Sequence, residues 1–110
     1  VKDTAAGFLA IAGCDGAVGR VVNIGRGDDL TIGELVEKIA AILGRSIEVE
    51  ADPARVRPAA SEVGRLLAGT ALARDLMGWV PRYTLEEGLS ETIDWVRENL
   101  GLFRVDAYAT

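Results

Sequence analysis

The residues best suited to chemistry lie in one stretch, RVRPAASEVGRLL, from Arg55 to Leu67. Three of the chain's ten arginines, Arg55, Arg57 and Arg65, fall within its first eleven positions. A guanidinium offers a planar fork of donors that matches phosphate oxygens. Pro58 holds the backbone beside Arg57 extended, which limits the entropy lost when an anion binds. Glu62 follows at a distance from which a loop can turn its carboxylate toward ribose hydroxyls. On residue types alone, a solvated charged loop accounts for the same stretch.

Other chemistries are excluded by what the chain does not contain. It has no histidine, so Ser–His and Cys–His nucleophile pairs cannot be built. A Tyr assisted by a Lys four positions later would need a lysine at position 87 after Tyr83, where Glu87 stands, and Tyr108 lies too near the end to have such a partner. Cys14 is the single cysteine, which rules out an internal disulfide, a redox pair or a zinc cluster and reads as an incidental or buried thiol. No catalytic, cofactor-binding or metal-binding residue is therefore expected in this chain.

Two glycine patterns bear on dinucleotide binding. Gly13, Gly16 and Gly19 have a pyrophosphate-loop spacing, but they leave a predicted helix and enter a predicted strand, whereas a phosphate cradle must leave a strand and open a helix. Gly25 and Gly27 do stand between a strand and a helix, yet the third glycine of the fingerprint is replaced by Leu30. Asp28 and Asp29 also put negative charge at that mouth, which repels phosphate. A tight strand-to-helix turn explains these residues as well.

The elements that must position Arg57 and Glu62 follow from periodicity and caps. Asp3 or Thr4 can cap a first helix running to about Ala12, and Arg20 to Ile24 reads as a short strand. Thr31 and Glu34 have capping-box spacing ahead of the apolar stripe Leu35, Val36, Ile39, Ile42 and Leu43, with Gly44 placed to end that helix. Ser46 to Glu50 alternates like a half-buried strand, Ala51 to about Glu62 reads as an ordered loop, and Arg65 to Ala68 as a further short strand. A helix over about Thr70 to Met77 and a turn through Gly78, Trp79 and Pro81 lead to a second capping box, Thr84 and Glu87. Behind it Leu85, Leu89, Ile93, Val96 and Leu100 form one stripe, ended by Gly101, with Trp95 to its side and expected to pack within the chain.

The expectation is an α/β (α+β) fold, a small mixed domain of about four helices and two or three short strands. At 110 residues, one domain is the natural count, and 49% apolar with 26% charged residues is the balance of a globular chain. The formal charge of −5 disfavours nucleic acid and anionic membrane surfaces as partners, so any anion site must be local. No apolar run is long enough to span a bilayer and no signal-peptide order opens the chain, which predicts a cytoplasmic protein.

The residues also resemble a known family. VKDTAAGF at the start, VVNIGRG at Val21–Gly27, TIGELVEKIA at Thr31–Ala40, RVRPAASEVGRLL and ARDLMGWVPRYTLEEGLSETIDW at Ala73–Trp95 occur in the order found in the C-terminal region of the extended short-chain dehydrogenase/reductases. Within that family the chain looks like the NAD-dependent nucleotide-sugar 4,6-dehydratases, closest to those acting on GDP- or UDP-linked N-acetylglucosamine. The resemblance covers about residues 1–100 and leaves 101–110 as a tail, expected to be frayed or held by a neighbour. It departs from the family at Gly69, Thr70, Ala71 and Leu72, where an aspartate, a small polar residue and a lysine are usual; Thr70 can still cap a helix there.

By this resemblance Arg57 grips the substrate diphosphate, Glu62 bonds the nucleoside ribose, Asn23 lies near the sugar or nicotinamide pocket and Arg65 is structural. The family's glycine-rich NAD loop and its catalytic Ser/Thr, Tyr and Lys belong upstream of Val1, in an N-terminal Rossmann domain. Such enzymes oxidise the sugar at C4 with bound NAD, eliminate water across C5 and C6, and return the hydride to C6. The implied chain is an inert substrate-binding fragment whose ligand is a nucleotide-diphosphate sugar and whose parent is a homodimer holding NAD. A 4-epimerase or reductase fragment, or a free-standing non-catalytic binding or regulatory module, is the alternative.

Overall fold

The computed structural model describes residues 1–50 and 63–103. Among these residues lie four α-helices, α1 at Lys2–Ala12, α2 at Ile32–Leu43, α3 at Ala71–Met77 and α4 at Leu85–Glu98, with 3-10 turns at Asp15–Ala17 and Leu100–Leu102.

Both capping boxes form as their spacing predicts. Thr31 Oγ1 accepts from the Glu34 N–H at 3.2 Å while Glu34 accepts from the Thr31 N–H at 2.7 Å. Thr84 and Glu87 repeat this at 3.2 and 2.8 Å. Each pair satisfies two N–H groups that a helix start leaves without partners. At the other end of α2, Gly44 takes a left-handed conformation (φ 62°) and the Arg45 N–H reaches Ala40 O at 3.1 Å, closing the helix by a 6→1 bond. α2 then lies along α4, where Ile39 and Leu43 face Leu89, Ile93 and Val96 across an apolar groove, and Lys38 pairs with Glu86 at 2.6 Å.

Around α1 and α3 the packing depends on small residues. The αL turn at Gly78 (φ 64°) directs the chain so that the Trp79 N–H bonds Ala73 O at 3.2 Å, and the indole beyond it is only 8% exposed. Ala17 and Ala73 complete the buried apolar set among the described residues. Gly7 of α1 faces this indole and Ile24: a Cβ built there would stand 3.4 Å from Trp79 Nε1 and 2.6 Å from Ile24 Cδ1. Cys14 is half-buried, its Sγ 3.5 Å from Leu76 O, where the Asp15–Ala17 turn meets α3.

Several local expectations are corrected. Neither Asp3 nor Thr4 caps α1; Val1 occupies that position without a side-chain bond, and the Asp3 carboxylate instead takes the backbone N–H groups of Arg82 and Tyr83. Thr70 stands at the cap of α3 but its side chain makes no cap bond, because its own backbone is helical (φ −100°, ψ 0°) rather than extended. α4 ends at Glu98, before Gly101, since Asn99 turns its amide onto Trp95 O at 2.8 Å; Leu100 falls out of the stripe and is 60% exposed. Trp95 does pack within the chain, edge-on to Phe103 with centroids 6.1 Å apart, yet remains 51% exposed.

The described residues form helices and turns without a strand, so the short strands expected at Arg20–Ile24, Ser46–Glu50 and Arg65–Ala68 are not present as such. β-branched sequence supplies the propensity for a strand, but a strand exists only when its N–H and C=O groups meet a neighbouring ladder, and these segments make none among the described residues. No helix among the described residues is long and apolar enough to cross a membrane.

Candidate functional site

The site is built from two segments far apart in sequence. The first, Asn23–Asp29, leads into α2; the second, Val63–Thr70, leads into α3. Gly25 lets them touch: a Cβ there would stand 3.1 Å from the Ala68 methyl and 3.8 Å from Thr70 Cγ2. Gly27 (φ 87°) lies beside Thr70 in the same way. A side chain at position 25 would push the segments apart, so close approach explains this glycine without a phosphate.

The acidic mouth is not bare. Arg26 forks onto Asp28, with Nε 2.9 Å from Oδ1 and Nη2 against Oδ2. Arg65 forks onto Asp29, with Nη2 3.2 Å from Oδ1 and Nε against Oδ2. The Arg26 hydrogen bond holds the Asp28 carboxyl below the usual carboxylate range, and the same bond raises the guanidinium. The expected repulsion of phosphate by Asp28 and Asp29 is therefore offset by two arginines, one of them, Arg65, 36 positions away in sequence. Glu86, paired with Lys38 and held below the carboxylate range chiefly by that bond, adds a further negative group near Arg26.

Of the residues expected to bind substrate, Asn23 is exposed at the start of the first segment, one position before Ile24, which packs on Gly7. Arg57 and Glu62, with Arg55, lie outside the described residues. Arg65, expected to be structural, joins the second segment to the first. Sequence reasoning missed the pairing of Arg26 with Asp28 and of Asp29 with Arg65; GRGDD sets one arginine beside two aspartates but does not specify which pairs with which.

Dinucleotide chemistry does not fit the described glycines. Gly13 closes α1 and Gly16 sits within a 3-10 turn, so neither opens a helix toward a phosphate. The start of α2 is filled by its own Glu34, whose carboxyl the Thr31 N–H holds below its ordinary range. An anion placed there would meet a carboxylate already bonded to the cap. No group of three His, Cys, Asp or Glu that could hold a metal ion occurs among the described residues. Two clefts among the described residues, about 200 Å³ by α1 and Trp79 and about 240 Å³ between α2 and α4, are each smaller than the roughly 300–1,000 Å³ typical of ligand pockets.

No family model matches the chain. It is similar to the GDP-6-deoxy-D-mannose reductase of Pseudomonas aeruginosa, 33% identical over 96 residues that span 86% of this chain and 31% of that protein. The UDP-glucose 4-epimerase of Mycolicibacterium smegmatis is 30% identical over 97 residues, 88% of this chain and 29% of its own length. Among solved structures, the crystal structure of the Bordetella bronchiseptica enzyme WbmF in complex with NAD+ and UDP matches with a TM-score of 0.71 at 30% identity, over 91% of this chain and 29% of that one. The chain thus spans about three tenths of the length of the proteins it matches.

Proposed function

The relatives and the structural neighbour of this chain are extended short-chain dehydrogenases/reductases, the family of NAD-dependent nucleotide-sugar epimerases, dehydratases and reductases, and from that premise we propose that the chain is the substrate-binding part of a nucleotide-sugar 4,6-dehydratase. In this reading residues 1–100 bind the nucleotide-diphosphate sugar. The redox and proton-transfer steps belong to an N-terminal Rossmann domain carrying NAD, and this part alone is inert.

One observation carries the proposal: the chain shares its fold and 30% of its residues, along nine tenths of its length, with an enzyme whose structure holds NAD+ and UDP. Arg57 is assigned to the diphosphate, Glu62 to the ribose and Asn23 to the sugar or nicotinamide side. Asn23 itself and Val63, the residue after Glu62, belong to the two segments that Gly25 brings into contact, which supports the assignment. Phe8, Leu9, Val18, Val21 and Ile32 all lie exposed, a scatter of large apolar groups suited to cover by a Rossmann domain. The chain's own chemical contribution is binding and orientation: charge-assisted hydrogen bonds to the diphosphate hold the sugar in one pose while the reacting atoms are served from elsewhere.

The test is product analysis of the full-length protein supplied with NAD and UDP- or GDP-N-acetylglucosamine. A 4-keto-6-deoxy sugar is expected. Simple inversion at C4 assigns the site to an epimerase, reduction of a supplied 4-keto sugar assigns it to a reductase, and failure to bind UDP or GDP removes the nucleotide-sugar reading altogether.

A further inference from the structure

We propose that α2 and α4 form an arm that swings as one body about the start of α4, held to the rest of the molecule by polar joints. The buried residues mark the boundary. Gly7, Ala17, Ala73 and Trp79 all belong to the part built from α1, the Asp15–Ala17 turn and α3, and Ile24 lies against Gly7 in the same part. Neither α2 nor α4 contains a buried residue. The arm has an apolar seam of its own, where Ile39 and Leu43 face Leu89, Ile93 and Val96, and Lys38 bonds Glu86 at 2.6 Å across it. No buried side chain among the described residues is shared between the two parts, so nothing apolar locks one against the other.

Two described segments cross between the parts, residues 25–30 ahead of α2 and 80–83 ahead of α4, and polar groups hold both. At the second crossing the Asp3 carboxylate takes the Arg82 and Tyr83 N–H groups at 3.0 and 3.1 Å, and Lys2 Nζ stands 2.8 Å from Glu91. At the first, Arg26 and Asp28 bond each other and chiefly set one another's pKa directions; Glu86 adds to the rise of Arg26 and Lys38 to the fall of Asp28, which places the arm's charges beside this turn. These joints, at Arg82, Tyr83, Glu86 and Glu91, lie within two turns of the start of α4, and the far ends at Leu43 and Glu98 carry none of them. A body fastened at one end rotates about that end. Gly27, already at φ 87°, and the 80–83 turn are the backbone that absorbs the rotation. Lys2 and Glu91 are 62% and 49% exposed, so salt screens their attraction, whereas the arm's apolar seam does not depend on charge.

The experiment is double electron–electron resonance on the full-length protein, with native cysteines replaced, Cys14→Ser among them, and spin labels at Asp75→Cys on α3 and Glu98→Cys at the far end of α4. Both positions are exposed. The spread of label distances is expected to widen about twofold between low salt and about 1 M NaCl, where the Debye length falls to about 3 Å. Lys2→Gln and Asp3→Asn are each expected to widen it already at low salt, while amide exchange within α2 and α4 stays as slow as in the parent. A spread equally narrow in salt and in both variants overturns the proposal. Widening in salt that neither variant reproduces overturns it too, because the named joints would not be what holds the arm. Faster exchange within α2 or α4 alongside the widening also overturns it, since the helices would then be unfolding rather than moving as one body.

Discussion

Asp3 Oδ2 accepts a hydrogen bond from the Tyr83 backbone N–H at 3.1 Å, across eighty positions of sequence, while its Oδ1 takes the neighbouring Arg82 N–H at 3.0 Å. One carboxylate in the first turn of α1 thereby satisfies two donors of the turn that enters α4. Lys2 reinforces the same junction, 2.8 Å from Glu91 and 5.3 Å above the Tyr83 ring, and the Glu91 hydrogen bond raises its pKa. Asp3→Ala in the full-length protein is expected to cost about 1–3 kcal/mol in urea unfolding, because two N–H groups lose their partner together. Asp3→Asn, which keeps one acceptor oxygen, is expected to cost less. Equal effects of the two variants would show that the double acceptance does not matter.

Gly7 is limited by what it faces. Gly7→Ala puts a methyl against Ile24 Cδ1, the mobile end of its side chain, and gains about 1 kcal/mol of helix propensity in return, so a near-neutral change is expected. Gly7→Val, whose added methyls also reach toward the Trp79 indole, is expected to lose about 1–3 kcal/mol by overpacking. Denaturant midpoints of the two variants check the contrast.

The capping boxes set an acid dependence. Bonds from Thr31 and Thr84 hold Glu34 and Glu87 below the usual carboxylate range. A lowered folded-state pKa means that the unfolded chain takes up protons first as pH falls. The contribution is complete above the ordinary glutamate pKa and disappears as pH drops through the lowered values. Thermal unfolding between pH 6 and about pH 3 is expected to show this loss, with a shallower slope in Glu34→Gln and Glu87→Gln. Thr31→Ala and Thr84→Ala are each expected to cost about 1 kcal/mol at neutral pH.

For the proposed substrate contact, Arg57→Ala in the full-length protein is expected to weaken nucleotide-sugar binding by about 1–3 kcal/mol through lost charge-assisted hydrogen bonds. Calorimetric titration with UDP- or GDP-N-acetylglucosamine measures it, and unchanged affinity for both removes Arg57 from the site.

What the sequence determined by itself is local. Thr31 with Glu34, Thr84 with Glu87 and the glycine after Leu43 close hydrogen-bonded rings within five residues, so residue types and spacing suffice to place the ends of α2 and the start of α4. The ordered motifs likewise carried the family. The tertiary structure decided everything that spans the chain: Asp3 serves Tyr83 instead of α1, Arg65 finds Asp29, and Gly25 exists for the approach of Ala68. It also decided against the strands among the described residues, whose β-branched sequence expresses a preference that only a neighbouring ladder can realise. The division follows from range. A cap competes only with water and its own backbone, whereas an ion pair across 36 positions or a bond across eighty depends on where every intervening element has packed.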